Sequence, residues 1–346
     1  MKAEPRGRVK IPPHRLSVAP MMDWTDRHCR FLHRQLSRRT LLYTEMVTAQ
    51  AVLAGPWERL LAFHPDEAPL ALQLGGSEPE ALAAAVARAA PMGFREINLN
   101  VGCPSDRVQS GAFGACLMRE PGLVAECVRA MIEAASSSSR GVEITVKCRI
   151  GVDGQEPSEA LPAFVETVAA AGVRRFAVHA RKAWLQGLNP KQNRDIPPLD
   201  HDLVVRLKRA RPDLEIVANG GLTSLDAALG RIAAGLDGAM IGRAAYHAPA
   251  DILCAADRRI FGEATPDTSP EGAVRAMLPY IEAELASGER LNRITRHMLD
   301  LFAGRPGARR WRRMLSERAH QPGAGPELVE AALACVESGA AKGAAA

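Results

Sequence analysis

The stretch NLNVGCPSDR (98–107) ends an apolar run at a lone cysteine, Cys103, followed by Pro104. A thiol there can fill a core, ligate a metal, form half of a disulfide or act on a substrate. The seven cysteines stand at 29, 103, 116, 127, 148, 254 and 335, an odd number with no CxxC pair. That pattern carries neither zinc-ligand spacing nor a disulfide framework, and it suits a reduced cytoplasm. No bound metal is expected. Burial as a small hydrophobe is the default for Cys29, Cys127, Cys254 and Cys335, and Cys116 in GACLM opens a packed helix. Burial is a weaker reading for Cys103, which lies in the polar loop CPSDR.

Other stretches place polar groups at similar points. Lys147 sits inside the apolar run ITVKCR, where a cation is costly to bury without an anionic partner; a salt bridge to a neighbouring strand is the plain alternative. His179 ends FAVHA and is equally readable as a satisfied core histidine. Asn219, Gly220 and Gly221 close EIVANGG, and Gly242 and Arg243 follow AMI. Glycine lets backbone N–H groups approach an anion closely, a following helix start favours negative charge, and Arg243 adds a charged fork. Tight turns are the plain alternative for both.

The elements that must position these groups are legible as periodic runs. Short apolar, β-branched stretches recur at 16–20, 41–47, 70–76, 96–102, 143–150, 175–181, 215–221 and 238–245. Helix-like segments lie between them, such as PEALAAAVARAAPMG and SLDAALGRIAAG. Such alternation means parallel strands with crossover helices. Eight units within about 245 residues match a (β/α)₈ TIM barrel, with a doubly wound sheet as the alternative. Ser77 and Ser224 are readable as helix N-caps, and Gly235 as a C-terminal stop.

In such a barrel the active groups come from the C-terminal strand ends. Strand 1 then offers Pro20, Met21 and Met22, and strand 3 Gln73. Strand 4 leads through Asn100 to Cys103, and strand 5 holds Lys147 and Arg149. Strand 6 ends in His179 and Arg181. Asn219–Gly220–Gly221 and Gly242–Arg243 fall after strands 7 and 8, where phosphate is commonly bound. A polar ring beside a phosphate site suits flavin mononucleotide (FMN). A fixed ammonium at Lys147 would stabilise the reduced ring's negative charge, and Gln73 would hydrogen-bond its polar edge.

Beyond residue 250 the strand signal stops. Helices are expected over 270–288, 295–304, 308–320 and 326–340, after a linker at 262–270. A catalytic barrel at 1–260 and a small all-helical domain at 265–346 follow, with a frayed tail. Between Arg293 and Arg318 eight arginines face only Asp300 and Glu317, although the whole chain carries just +5. One concentrated basic region suggests a polyanion partner, against the plainer reading of a solvated helix face. On an ideal helix Arg309, Arg312, Arg313 and also Arg305 share a face. Trp311 is expected to pack in the core. The chain has no run of the roughly 18 apolar residues a membrane span needs, and its basic N-terminus lacks a signal-peptide core.

Taken together, APMMDWTDRHCR, LLYTEMV, LALQLGG, EINLNVGCPSDRVQSGAFGACLM, VKCRIG, VHARKAWLQGL, NGG and IGR resemble the tRNA-dihydrouridine synthases, through GARRWRRML near the C-terminus. MDWTDRHCR, HARKAWLQGL and KQNRDIPPL resemble the A subfamily, which acts on positions 20 and 20a of the tRNA D-loop. The resemblance implies a flavin barrel with a helical domain, bound FMN, NADPH as reductant and tRNA as partner. It implies flavin contacts at Pro20, Met21, Met22, Gln73, Lys147, His179, Asn219, Gly220, Gly221, Gly242 and Arg243. It makes Cys103 the proton donor to uridine C5, a role that needs the neutral thiol. It places Asn100, Lys191, Arg194, Arg309 and Arg312 against tRNA. Cys148 stands where the family often has Thr, and on a strand it faces away from Lys147. A monomer in the cytoplasm is expected. The rival readings are a small-molecule FMN enzyme of the dihydropyrimidine or dihydroorotate dehydrogenase kind and a non-catalytic RNA-binding protein. The arginine-rich helices oppose the first, and Lys147, His179 and Cys103 together oppose the second.

Overall fold

Each of the eight apolar runs forms a β-strand in the computed structural model, which describes residues 11–105, 108, 111–138 and 141–344. The basic start of the chain (1–10), two residues of the CPSDR loop (106–107) and the end of the tail (345–346) lie outside the described residues. The strands are β1 (Leu16–Val18), β2 (Leu41–Thr48), β3 (Leu70–Gly75), β4 (Glu96–Val101), β5 (Glu143–Arg149), β6 (Arg175–His179), β7 (Glu215–Asn219) and β8 (Gly238–Ile241). They are parallel and pair in sequence order. β8 returns to β1 through Leu16↔Ala239, Ser17↔Met240 and Val18↔Ile241, closing the barrel. That closure excludes the doubly wound sheet.

Six longer helices wrap the strands: α1 (Arg27–Leu36), α2 (Pro79–Ala89), α3 (Pro121–Ser136), α4 (Pro157–Ala170), α5 (His201–Ala210) and α6 (Leu225–Ala233). Short helices replace a long one between β2 and β3. The caps follow local chemistry. Asp26 caps α1 by accepting from the N–H groups of His28 and Cys29, and Ser224 caps α6 by accepting from Ala227. Gly235, at φ +101°, follows the end of α6. Ser77 does not cap α2; Glu78 holds that position without a side-chain bond, and Pro79 opens the helix.

Alternation along each strand sorts side chains into two layers. Leu70, Leu72, Leu74, Ile97, Leu99, Val101, Ile144, Val146 and Cys148 belong to the large core between strands and helices. Cys148 thus faces away from Lys147. The opposite parity faces the barrel axis, where a small apolar set (Leu41, Tyr43, Ala71, Ala177, Val217, Met240) packs together. The remaining inward positions are polar, which is how one fold holds both a dry core and a chemical site.

After β8 come α7 (Pro270–Ala286), α8 (Ala308–Arg318) and α9 (Pro326–Ala344). α7 lies on α1: Phe31 stacks on Tyr280 at 3.9 Å, Tyr280 Oη bonds His28 at 2.7 Å, and Arg27 pairs with Glu284 at 2.6 Å. Trp311 of α8 is fully buried, and its indole N–H donates to the Met298 carbonyl at 2.9 Å. The helix expected over 295–304 does not form. A helix runs only over Leu291–Thr295, and tight turns follow in which Met298 N–H bonds Thr295, Leu301 N–H bonds Met298 and Ala303 N–H bonds Asp300. Gly304 ends the segment and Pro306 follows it, and the Met298 carbonyl is shared between Leu301 N–H and the Trp311 indole, so no four-residue ladder is completed. No helix among the described residues is long and apolar enough to cross a membrane.

Candidate active site

Gln73, Asn100, Lys147, His179 and Asn219 all have inward parity on consecutive or adjacent strands. Register sets Asn100 beside Lys147, Arg149 beside His179, and His179 beside Asn219. The C-terminal strand ends thus bring these predicted residues to one mouth. Lys147 is half-buried and makes no hydrogen bond or ion pair among the described residues, so the salt-bridge alternative fails for it. Burial first, and the nearby Arg149 cation second, push its ammonium down to about 8. His179 is buried; desolvation, then Arg149 and Lys147, hold it well below the ordinary histidine range, so the ring is neutral at pH 7. Its neutrality leaves one ring nitrogen as acceptor and the other as donor.

The Asn100 side-chain oxygen accepts from Gly102 N–H at 3.0 Å and Cys103 N–H at 2.9 Å. Its amide donates to Gln73 Oε1 at 2.9 Å, and Gln73 Nε2 donates to Asn98 Oδ1 at 2.8 Å. Asn98 continues to Thr145 at 2.8 Å, and Thr145 to Glu96 at 2.6 Å. Glu96 also meets the Tyr43 hydroxyl and Arg175, whose guanidinium spans Glu96, Glu143 and Glu215. A satisfied chain of polar groups therefore runs down the barrel interior and pins the Cys103 loop. Among the described residues the Gln73 and Asn100 amides each donate one of the two hydrogen bonds they can make. The half-buried Cys103 thiol lies 3.5 Å from Ser105 Oγ.

At the β7 end Gly220 and Gly221 have φ +99° and +67°. A Cβ on Gly220 would sit 2.2 Å from the His179 ring, and one on Gly221 2.3 Å from Leu199. Only glycine fits both the angle and the space. Asn219 braces this turn by donating to the Met240 carbonyl at 2.8 Å. Gly242 is the N-cap residue of the short helix Arg243–His247 and lies near Met21 Sδ. Pro20 and Met21 are half-buried, and Met22 is exposed. Arg243 pairs with Asp195 at 2.6 Å. A two-glycine turn, an adjacent arginine, an unpaired ammonium and free amide donors together fit a flavin mononucleotide.

Arg149, expected at the end of β5, and Asn193, to which the sequence points in no way, organise the mouth. Arg149 is buried and donates to Gly102 O at 3.1 Å and Asn193 O at 2.9 Å. One guanidinium thus joins the Cys103 loop to the loop that carries Lys191 and Arg194. Asn193 is wholly buried and bonds both sides of the Trp184 peptide. Sequence carries no signal for such links, because the partners stand 9 to 47 residues apart. Arg181 donates to the Pro197 carbonyl, which holds the far end of the same loop. Lys191 and Arg194 are exposed.

On α8, Arg309 and Arg313 lie opposite the buried stripe of Trp311 and Leu315 and Arg312 flanks it, all three exposed. Arg305 precedes the helix, pairs with Glu271 and stacks over Phe302, so it leaves the expected face. Arg312 is held by Asp300 at 2.8 Å, whereas Arg309 has no carboxylate partner among the described residues.

A family model described as "Dihydrouridine synthase (Dus)" matches residues 17–337. The tRNA-dihydrouridine(20/20a) synthase of Escherichia coli (strain K12) is 55% identical over 323 residues, covering 93% of this chain and 91% of the relative. The protein of the same name from Xanthomonas axonopodis pv. citri is 55% identical over 322 residues, covering 92% and 93%. That from Vibrio cholerae is 54% identical over 321 residues, covering 92% and 96%.

Proposed function

This chain belongs to the dihydrouridine synthase family, and on that footing we propose that it reduces the C5=C6 bond of uridine at positions 20 and 20a of the tRNA D-loop. FMN is the bound cofactor and NADPH the reductant. The observation that carries the reading is the Asn100–Cys103 hydrogen bond, which fixes a thiol beside an unpaired Lys147 and a neutral His179 at one barrel mouth.

Bound FMN, once reduced, supplies a hydride for uridine C6. Gly220, Gly221, Gly242 and Arg243 would hold its phosphate. Pro20, Met21, Met22 and Asn219 would line its seat, and Gln73 and His179 would hydrogen-bond its polar groups. Lys147 gains there the anionic partner that it lacks in the free protein. As C6 receives hydride, negative charge develops on C5 and the C4 oxygen, and Cys103 passes its thiol proton to C5. Asn100 uses its remaining amide N–H on the uracil. A stacked base cannot reach this mouth, so the target nucleotide is turned out of the folded RNA at a cost of a few kcal/mol. Lys191, Arg194, Arg309 and Arg312 neutralise phosphates. The barrel (1–260) is the catalytic domain and the helices (265–346) the tRNA-binding domain of a cytoplasmic monomer.

Incubating the protein with FMN, NADPH and an unmodified tRNA transcript tests this directly. Dihydrouridine at positions 20 and 20a is expected. Reduction of free uracil or orotate in preference to tRNA would instead favour the small-molecule dehydrogenase reading.

A further inference from the structure

We propose that Trp184 is a stacking platform for an unpaired D-loop nucleobase next to the nucleotide being reduced. The inference rests on the tRNA reading above.

Beyond the ends of β5 and β6 the two segments meet again at one isolated bridge. Val152 bridges Ala183, Ala183 N–H donates to Gly151 at 3.0 Å, and Asp153 N–H donates to Ala183 at 2.8 Å. Leu185 N–H donates to Asp153 Oδ1 at 2.8 Å. Burial alternates along the segment 183–185. Ala183 and Leu185 are buried, and Trp184 between them is 42% exposed. Its peptide is clamped on both sides by Asn193, which accepts from Trp184 N–H at 2.7 Å and donates to Trp184 O at 2.8 Å. The indole is therefore presented on fixed backbone.

The other tryptophan environments differ. Trp311 is buried with its N–H bonded, Trp24 stacks on Tyr246 at 4.7 Å, and Trp57 is half-buried against the hydrophobic core. Trp184 has no aromatic partner among the described residues. Instead Lys182 Nζ, anchored by a 3.1 Å bond to the Gln155 carbonyl, lies over its ring at 5.1 Å. Lys191 and Arg194 stand on the same loop. A flat ring flanked by cations is the arrangement that binds single-stranded RNA, with bases stacking and phosphates meeting charge. The position also fits the reaction. Asn193 O accepts from Arg149, and Arg149 reaches Gly102 beside Cys103, so three linked residues separate the indole from the thiol's peptide.

The test measures tRNA affinity across a salt series for wild type, Trp184→Ala, Trp184→Leu and Trp184→Phe. Loss of one base stack weakens binding on the order of tenfold in the Ala variant. The Leu variant, apolar but not aromatic, should lose as much, and Phe should restore most of it. The slope of log Kd against log salt should stay at the wild-type value, because no phosphate contact is lost. Affinity unchanged in Trp184→Ala, full rescue by Leu, or a flattened salt slope would each overturn the proposal. A wild type that binds no tRNA would overturn the tRNA reading with it, whereas a wild type that binds tRNA no better than Trp184→Ala overturns the platform alone.

Discussion

The side-chain oxygen of Asn100 accepts the backbone N–H of Cys103 at 2.9 Å. The residue read as a uracil contact is therefore also the fastener of the thiol's loop, and its amide leans on Gln73. Asn100→Ala removes both acceptor bonds and lets the thiol drift. A displacement near 1 Å can cost on the order of 100-fold in rate. Single-turnover dihydrouridine formation should fall to that extent. Asn100→Asp keeps the acceptor and should lose less. Equal losses would show that fastening does not matter.

Lys147 offers a pH signature in the cofactor-free protein. Its folded value, about 8, lies below the ordinary 10.5. The folded state then binds fewer protons between those values, so stability rises with pH across that window. Below about pH 8 the desolvation cost is fully present. Cofactor-free Lys147→Met should be more stable than wild type at pH 7, and the advantage should shrink by pH 10. Denaturant melts at both pH values check the sign. An advantage that does not change with pH would contradict it.

The strands were legible because a parallel barrel buries both faces, and β-branched runs such as EITVKCRI announce that burial. The inward parity of Gln73, Asn100, Lys147 and His179 follows from the same period of two. What stayed hidden is long-range pairing of polar groups. Arg149 reads as one more cation on β5, yet it joins two loops. Asn193 reads as a loop residue, yet it is wholly buried. The segment 295–304 misleads in the other direction. Its composition is helical, but the Trp311 indole takes part of its backbone.

Gly220 tests the fit of the flavin turn. A side chain there must adopt φ +99° and displace the His179 ring from 2.2 Å. Strain of this kind costs about 1–3 kcal/mol. Gly220→Ala should therefore retain flavin at least about tenfold more weakly, read from bound-flavin absorbance during dialysis. Wild-type retention would remove His179 and Gly220 from the flavin seat.

Arg309 and Arg312 should respond unequally. Arg309 is free of carboxylates among the described residues, whereas Arg312 must leave Asp300 to reach a phosphate. Arg309→Ala should weaken tRNA binding and flatten the salt slope by about one. Arg312→Ala should lose less, since part of its charge is already spent on Asp300. Identical salt slopes for wild type and the double variant would place the RNA elsewhere.

The central claim is that the Cys103 thiol delivers the proton to C5. It is tested most directly by single-turnover reduction of unmodified tRNA with pre-reduced enzyme, comparing wild type with Cys103→Ala. A general acid contributes about 10²- to 10⁴-fold. Cys103→Ala is expected to bind tRNA but to form dihydrouridine at least about 100-fold more slowly. Product at the wild-type rate from Cys103→Ala would contradict it.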